Sequence, residues 1–473
     1  MGRGFPRPMT SELHGPWRQR PRSPGGAEGG NPGSRFDRGI LDSTAFHRGY
    51  GGLCACGPCF RLLGGSAMAV ASENASRLIA ILVALSAGIL LAAQVGKLPS
   101  SLPVLQSDLG LSLVQAGWVS SAINAVTALL GLVSGLLAAR RGTRTALLAG
   151  LFIAVLGGAL GALSVNGSLL LGSRVLEGVG FVLVVVAAPS IIAASATPAG
   201  RGGWLAVWGC YMPLGVSAML LLSPVLIGAG GWRLLWWVNV ALLGALLLLA
   251  LLLRAHLPQA RAPGGRPLRA QLRHAVRLRG PVLMGLAFGA YSAQWFMIIT
   301  WLPSFGVSHM GLALHQAGWL AALATFANVV GCLAAAPLSR RGVPRWVVAL
   351  GVQLLMGLTG LIVFTAALEP SLRLVMAVLG CGLGGLLPAT LFIGVPQLVE
   401  RREDVGMGNG LITQGANIGI LLGPPAIAAV VAHLGGWDAG RWLFVVLAAL
   451  GVMVALALRA HEQTLKAAAP SAA

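Results

Sequence analysis

The chain is poor in charged residues. Only 10% of its 473 residues are Asp, Glu, Lys or Arg, whereas soluble domains carry about 25%. This scarcity excludes an ordinary water-soluble domain, because such a domain needs a solvated surface. Hydrophobic residues instead make up 56% of the chain and occur in runs of about 18 to 25 residues, a length that predicts membrane-spanning helices.

Acidic residues and lysines are especially scarce. Asp and Glu number 13 against 33 basic residues, which gives a net charge of +20, and Lys97 and Lys466 are the only lysines in the sequence. In a soluble protein this excess would suggest nucleic acid. Here the arginines lie between apolar runs, as expected for cytoplasmic loops of a membrane protein. The sequence therefore predicts a lipid bilayer as partner and no nucleic acid.

The six cysteines are too few and too scattered for a disulfide framework. Cys210, Cys332 and Cys381 lie singly in apolar runs, where a thiol packs as a small apolar group. Cys56-Gly-Pro-Cys59 has redox-motif spacing, but the Gly, Pro and Arg rich segment around it shows no strand or helix pattern that would activate a thiol. We expect no redox role, no cofactor and no metal site.

Composition divides the chain into five parts. Residues 1–70 are predicted to be disordered, or to precede a true translation start at Met68. Residues 71–254 and 281–460 are each predicted to form a six-helix bundle, separated by a basic linker at 255–280 and followed by a tail at 461–473. The twelve predicted helices cover residues 77–98, 114–138, 144–164, 168–194, 203–228, 232–254, 281–302, 315–338, 345–367, 371–398, 407–433 and 440–459.

The arginines also predict orientation. Six lie in the linker and nine more in loops on its side of the membrane, whereas the opposite loops hold little beyond Arg233 and Arg441. Both termini are then cytoplasmic, in a bacterial inner membrane. Tryptophans near span ends are expected to anchor the helices among lipid headgroups; they are Trp118, Trp232, Trp301, Trp319, Trp346, Trp437 and Trp442.

The sequence contains an internal repeat. The segment G-L-S-L-V-Q-A-G-W at 110–118 recurs as G-L-A-L-H-Q-A-G-W at 311–319. Further pairs keep an offset of about 200 residues, and a duplicated six-helix unit of this kind predicts two halves around a shared cavity. These pairs are Arg174 with Arg373, Pro189 with Pro388, Gly215 with Gly415, and Pro224 with Pro424.

Two segments resemble signatures of the major facilitator superfamily. One is the loop G-L-L-A-A-R-R-G-T-R at 135–144, with a weaker copy at 337–342, and the other is R-V-L-E-G-V-G at 174–180. The resemblance covers residues 77–460. It implies an all-α integral membrane protein with twelve transmembrane helices in two pseudo-symmetric six-helix bundles, which transports a solute as a monomer and is not an enzyme. In that family, an aspartate in this loop helps to hold the two halves together on the cytoplasmic side. Ala139 stands in its place here, so this contact is expected to use backbone, arginines and helix ends.

A finer resemblance points to the cyanate and nitroimidazole transporter branch of that family. It rests on W-G-C-Y-M-P-L-G at 208–215 and on Q-A-G-W at 115–118, although Val95-Gly-Lys97 stands where Asn-Leu-Arg is usual.

Several positions are predicted to serve conformational change. The eleventh run carries a seam of small residues that permits close helix contact before a kink, and it is interpreted either as packing or as a displaced antiporter motif. The predicted positions are Gly135, Arg140, Arg141, Gly142, Arg340, Arg341, Gly342, Gly415, Gly419, Gly423 and Pro424.

Lys97 is the main candidate for solute binding, because an unpaired ammonium in a membrane helix costs about 2.5–3.5 kcal/mol. Either Asp108 pairs with it, if the first helix ends early, or Lys97 and Gln94 face the cavity and bind an anion. Weaker polar candidates on apolar runs are Asn124, Tyr211, Tyr291, Gln294, Asn328, Gln414 and Asn417.

Arg174 and Glu177 are the candidates for coupling. Their spacing of i, i+3 places them on one helix face, where they form either a proton or substrate pathway or a structural ion pair. No GxxxxGK[ST] phosphate-binding loop is present, so an ion gradient, with a proton as coupling ion, is the expected energy source.

These features predict a secondary transporter that moves a small organic or inorganic anion by alternating access. The alternative is a drug/proton efflux antiporter. A remote alternative from another class is an intramembrane hydrolase using Ser217 and His433, although Ser217 lacks the following glycine of a nucleophile elbow.

The orientation can be tested with reporter fusions. Green fluorescent protein fused after residue 260 should fluoresce and alkaline phosphatase fused there should be inactive, because the arginine-rich linker is expected in the cytoplasm. Fusions after Gly311 should show the opposite pattern. Active phosphatase after residue 260 would contradict the predicted topology.

Overall fold

The computed structural model describes residues 59–259, 273–399, 401 and 404–468, without the side chains of 59–72, 130–140, 466 and 468. The predictions made for residues 1–58, including Cys54 and Cys56, lie outside the described residues. So does half of the basic linker, residues 260–272. The first helix begins at Cys59, well before the predicted start at residue 77.

The described residues form helices and turns, with no strand among them. A single 3-10 turn, Arg254–His256, follows the sixth helix. The helices are α1 Cys59–Leu109, α2 Leu113–Arg141, α3 Thr143–Ala162, α4 Gly167–Ser195, α5 Arg201–Gly209, α6 Tyr211–Leu252, α7 Arg279–His309, α8 Leu314–Arg340, α9 Arg345–Val363, α10 Pro370–Gly384, α11 Leu386–Leu398, α12 Val405–Leu434 and α13 Trp437–Ala468.

These helices supply twelve membrane spans. In the described part of the chain, ten helical segments are long and apolar enough to cross a membrane. One of them, α6, contains two spans, because Gly230 and Gly231 leave helical geometry, Gly231 with φ of 72°. Helix α2, 29 residues long, adds the twelfth. The predicted all-α fold of two six-helix halves, α1–α6 and α7–α13, is confirmed.

Helix α1 is longer than predicted at its second end. It continues through Pro99 and Pro103 to Leu109, whereas the prediction ended it at residue 98. Proline removes a backbone hydrogen bond, but membrane helices tolerate it when nearby groups satisfy the freed carbonyls. Between the two prolines, Ser101 Oγ donates to the carbonyl of Lys97 at 2.7 Å.

The two loops that resemble the family signature have matching backbone geometry. Gly142 and Gly342 have φ of 96° and 78°, a conformation that favours glycine because it has no Cβ. Arg141, Arg340 and Arg341 are exposed. Gly135 lies within α2, and the side chain of Arg140 lies outside the described ones.

The glycine seam of α12 packs against α7. A Cβ added to Gly415 would lie 2.0 Å from the Gly285 carbonyl oxygen, and one added to Gly419 would lie 2.1 Å from the Gly289 carbonyl oxygen. Gly423 meets Ala293 in the same way. The seam therefore holds two helix backbones in direct contact, and Pro424 follows at its end.

Three of the predicted tryptophan anchors are core residues instead. Trp232, Trp301 and Trp437 are buried, and Trp437 stacks with Phe364 at 5.3 Å between ring centroids. Trp118, Trp319 and Trp442 are exposed, and their anchoring among headgroups stays a prediction. Position near a span end does not reveal whether an indole points outward or into the bundle.

Substitution at the seam should weaken the fold. Gly419→Ala should lower the thermal unfolding temperature of the detergent-solubilised protein, because overpacking typically costs about 1–3 kcal/mol. Gly410→Ala is the matched control on the same helix, since nothing lies within 4 Å of its Cβ position. An equal effect of both substitutions would contradict the close α7–α12 contact.

Candidate functional site

The two halves touch through matching pairs of helices. A Cβ added to Gly117 of α2 would lie 2.8 Å from Pro425 Cα of α12, and one added to Gly318 of α8 would lie 2.5 Å from Pro224 Cγ of α6. Gly117 and Gly318 belong to the repeated Q-A-G-W segments. The repeat therefore places one glycine per half where the halves meet.

Hydrogen bonds reinforce these contacts. Ser121 Oγ donates to the carbonyl of Ile420 at 3.0 Å, and Trp319 Nε1 donates to the carbonyl of Leu221 at 3.2 Å. Farther along α2 and α12, Gln414 Nε2 donates to the carbonyl of Ala128. We call the end of the molecule that carries the loops after α1 and α7 the 110/311 end. The halves are in contact from this end to about the middle of α2.

A small void of about 10 Å³, room for about one water molecule, lies next to this contact and is lined by residues of both halves. Its lining is apolar apart from two hydroxyl side chains, and no charged side chain contributes to it. The lining residues are Val95, Leu98 and Pro99 of α1, Ser120 of α2, Val216 of α6, and Phe296, Ile299 and Thr300 of α7.

The opposite face of α1 carries a buried cluster of charges. Lys97 Nζ donates to Glu177 Oε1 at 2.7 Å, and both side chains have no exposed surface. Arg174 donates to the other oxygen of Glu177 through Nη1 and to the carbonyl of Gln94 through Nη2, at 3.1 Å. The prediction that Arg174 and Glu177 share one face of their helix is confirmed.

Small residues on α3 make room for this cluster. A Cβ added to Gly157 would lie 2.7 Å from the backbone nitrogen of Glu177, and one added to Gly158 would lie 3.5 Å from Glu177 Oε1. Gln94 Nε2 donates to the carbonyl of Ala154 on the same helix at 3.3 Å. Helices α1, α3 and α4 thus approach closely around the carboxylate.

Trp236 completes the cluster and was not foreseen. The Lys97 ammonium lies 4.4 Å from the centroid of the Trp236 ring, a cation–π contact in a desolvated site. Trp236 lies in an apolar run that gave it no distinguishing signal. Its Nε1 has no hydrogen-bond partner among the described residues, and the same holds for both side-chain polar atoms of the buried Asn239.

Both sequence-based expectations for the surroundings of Lys97 are wrong. Asp108 does not pair with it, because α1 stays helical between them; Asp108 instead accepts a hydrogen bond from Trp232 Nε1 at 2.8 Å. Lys97 and Gln94 do not face the cavity between the halves either. They point into the N-terminal half, where Glu177, from 80 residues farther along, neutralises the ammonium.

Other predicted binding residues lie inside the C-terminal half. The Tyr291 hydroxyl accepts a hydrogen bond from Asn328 Nδ2 at 2.8 Å. Gln294 Nε2 donates to Gln353 Oε1 at 2.9 Å. Gln94 and Gln294 are related by the repeat, and each connects the first helix of its half to the third. The structure therefore pairs these residues as helix-to-helix bridges, away from the lining of the cavity.

The remaining candidates are dispersed. Asn124 is fully buried, and neither of its side-chain polar atoms has a partner among the described residues. Tyr211 stacks on Trp208 at 4.5 Å, Gln414 bridges the halves, and Asn417 is buried on α12. A role of these side chains in binding solute stays a prediction.

The hydrolase alternative gains no geometric support. Ser217 Oγ donates to the carbonyl of Leu214 on its own helix at 3.1 Å. His433 is exposed in the last turn of α12, and the described contacts do not join it to Ser217. No group of three or more His, Cys, Asp or Glu that could hold a metal occurs in the described part of the chain.

The charge cluster should respond unequally to single substitutions. Glu177→Gln leaves two buried cations without an anion and should lower the thermal unfolding temperature strongly, since breaking a buried pair costs about 3–5 kcal/mol. Lys97→Met leaves the neutral Arg174–Glu177 pair and should cost less. Thermal unfolding in detergent measures both variants, and equal destabilisation would contradict this account of the charges.

Comparison with known proteins places the chain in a family. A Methylenomycin A resistance protein from Bacillus subtilis (strain 168) is 27% identical over 191 residues, which are 40% of this chain and about two fifths, 41%, of that protein. The Arabinose-proton symporter of Escherichia coli (strain K12) is 26% identical over 185 residues, 39% of either chain. A Multidrug resistance protein B homolog of Mycobacterium tuberculosis (strain ATCC 25618 / H37Rv) is 25% identical over 390 residues, 69% of this chain and 71% of that one.

The fold matches solved structures over most of the chain. The crystal structure of a bacterial homolog to the human lysosomal transporter Spinster, in an inward-facing and unoccupied conformation, has a TM-score of 0.64 at 20% sequence identity and covers 82% of this chain and 97% of that chain. This likeness concerns the fold alone. The profile of the Major Facilitator Superfamily matches residues 78–402. With more than half of its length matched, the chain belongs to the Major Facilitator Superfamily, a family of multi-pass membrane transporters.

Proposed function

We propose that the protein is a proton-coupled secondary transporter that exports an uncharged or amphiphilic organic solute through the cavity between its halves. The observation that carries this proposal is the double role of α1. One face of this helix lines the cavity with Val95, Leu98 and Pro99. The other face holds Lys97 in the buried charge cluster.

The lining of the cavity supports an uncharged or amphiphilic solute. Phe296, Ile299 and the three α1 residues offer apolar surface, and Ser120 and Thr300 offer hydroxyl groups. Ligand sites bind through apolar contact and use a few polar groups for orientation, and this small void has to widen before it admits such a solute. The lysine that an anion would need is engaged by Glu177 and points away from the cavity.

The charge cluster supports proton coupling. A change of one proton on Lys97 or Glu177 alters the bond between α1 and α4, since that bond is an ion pair in a low-dielectric interior. Pro99 lies two residues beyond Lys97 and interrupts the helical hydrogen bonds of α1. Weakening the ion pair therefore frees a segment of α1 that also forms the wall of the cavity.

The orientation rests on the arginine distribution, which predicts the 110/311 end to be periplasmic. Both termini are then cytoplasmic, and the membrane is the bacterial inner membrane. Because one chain supplies both halves and the whole cavity lining, we propose that a monomer is the functional unit.

The names of the relatives support export and proton coupling without identifying the solute. Two of them are named for resistance, the Methylenomycin A resistance protein and the Multidrug resistance protein B homolog. Another is named a proton symporter. Export of an amphiphilic compound in exchange for protons combines the two features with an apolar cavity.

A second candidate function is transport of a small anion. Lys97, Arg174 and Glu177 together carry a net charge of +1 inside the N-terminal half, and a positive potential near the cavity attracts anions. Membership of the cyanate and nitroimidazole branch, suggested by residues 208–215, stays a proposal of the same kind. Transport assays with probes of different charge separate the two candidates.

Transport can be tested in proteoliposomes with an imposed proton gradient, acid inside. We expect the gradient to drive accumulation of chloramphenicol, an uncharged amphiphile, or of ethidium, a cationic one, and not of carboxyfluorescein, an anion. Glu177→Gln should abolish the gradient-driven part, because it removes the anion of the cluster.

Glu369→Gln is the matched control for this assay, since Glu369 is an exposed glutamate at the start of α10. Accumulation of carboxyfluorescein alone would favour the anion transporter. Undiminished accumulation by the Glu177→Gln protein would remove the charge cluster from the coupling mechanism.

A further inference from the structure

We propose that Lys97, rather than Glu177, is the residue that releases and rebinds the coupling proton. This inference rests on the proposed function, because it assigns the proton within the cluster to which coupling is attributed. It follows from the burial and the count of the charges around Lys97. Acidic side chains are the usual candidates for such a role, and Glu177 is the acid in this cluster.

The cluster holds two cations and one anion, all without exposed surface. Lys97 and Arg174 each bind one oxygen of Glu177. Gln94 shares the face of α1 and is neutral, α3 contributes the Ala154 carbonyl, and α6 contributes the Trp236 ring. Among the described residues, no further charged side chain forms an ion pair with these three. The net charge is therefore +1.

Only one proton transfer makes this cluster neutral. Protonating Glu177 would leave two adjacent cations with no anion, a net charge of +2 in a low-dielectric interior. Arginine stays charged under all ordinary conditions. Loss of a proton from Lys97 leaves the Arg174–Glu177 pair, in which one cation faces one anion. Uncompensated buried charge is costly, so the proton that moves is the one on Lys97.

The charged form of Lys97 is also stabilised by its neighbours. A residue that alternates between two protonation states needs such stabilisation of both. Its ammonium bonds to Glu177 at 2.7 Å and lies 4.4 Å from the centre of the Trp236 ring. Both contacts favour the cation. Lys97 thus has a protonated state that its neighbours stabilise and a neutral state that removes the excess charge of the cluster. Glu177 bonds to two cations when it is ionised, and a protonated Glu177 would lose both attractions.

The second half of the molecule shows that the fold does not need a lysine and glutamate pair. The repeat relates Lys97 to Met297 and Glu177 to Met376, while Arg174 corresponds to Arg373. Arg373 is 3% exposed and lies 5.8 Å from the Phe305 ring. Met297 is buried and Met376 is partly buried. The C-terminal half therefore folds without this ion pair, and we assign the Lys97–Glu177 pair to chemistry.

The proton step is an acid–base exchange without another reactant. An N–H bond of the Lys97 ammonium breaks, its electron pair stays on Nζ, and the proton leaves to water on the side to which the transporter is open. The neutral amine no longer forms an ion pair with Glu177, so the attachment of α1 to α4 weakens, while the bond from Arg174 to the Gln94 carbonyl remains. Reprotonation from the other side restores the bond.

The composition of the chain makes a direct test practical, because Lys97 is one of only two lysines. The full-length protein, labelled with ¹⁵N at lysine side chains and ¹³C at glutamate carboxyls, is titrated in lipid nanodiscs by NMR. Lys466→Arg leaves a single lysine signal and assigns Lys97, and Glu177→Gln assigns the carboxyl. We expect the Lys97 amine signal to change from charged to neutral within the pH range in which the protein stays folded, while the Glu177 carboxyl signal does not change.

A carboxyl signal of Glu177 that titrates while Lys97 stays charged would overturn the proposal, and so would the absence of any titration at Lys97. In the proteoliposome assay, Lys97→Arg should lose gradient-driven accumulation, because arginine keeps the positive charge and does not release a proton. Accumulation at the wild-type level by this variant would also overturn it. Failure of the wild-type protein to respond to a proton gradient would instead refute the proposed function, and the NMR titration would report on Lys97 independently of that result.

Discussion

The burial of charge inside a bundle of apolar helices constrains the rest of this structure. Lys97, Arg174 and Glu177 have no exposed surface, and each would be costly alone in a membrane protein. Their mutual contacts therefore fix how α1 and α4 lie against each other. The glycines at 157 and 158 let α3 approach the same point. The ion pairs and the close helix packing depend on one another.

Duplication produced two similar scaffolds, and only one of them carries the charge cluster. Both halves bridge their first and third helices through a glutamine, and both place glycine where backbones meet. The C-terminal half has apolar side chains where the N-terminal half has Lys97 and Glu177. This division separates the two requirements of a coupled transporter. In the proposed mechanism, the shared scaffold supplies the cavity and the movement, and the residues found in one half supply the response to protons.

The fold could be predicted from the sequence because its determinants are local or periodic. Apolar runs gave the twelve spans, the arginine loops gave an orientation to test, and the i, i+3 spacing of Arg174 and Glu177 gave their common face. The internal repeat predicted the two halves. The ends of α1 and α7 were missed, because nothing in the sequence shows that a helix continues through Pro99, Pro103 or Pro303 when its neighbours satisfy the freed carbonyls.

The surroundings of the site could not be predicted, for a physical reason. In an apolar helix every face looks alike, so the sequence does not show which face of α1 meets α4 and which meets the cavity. Lys97 was therefore assigned to the cavity, although its partner Glu177 lies on another helix. Trp236 and Gln353 carried no signal, because an indole or an amide in an apolar run is compatible with core, lipid or ligand. The contacts of Lys97 with Glu177 and Trp236 depend on tertiary packing alone.

The paired contacts of Gly117 with Pro425 and of Gly318 with Pro224 have a consequence for cooperativity. The repeat relates the two glycines, and each lies against a proline of the other half. In the proposed alternating-access cycle, a rotation of one rigid half about the other separates both contacts at once. Duplication of one glycine then supplies two contacts that release together, without the separate evolution of two gates.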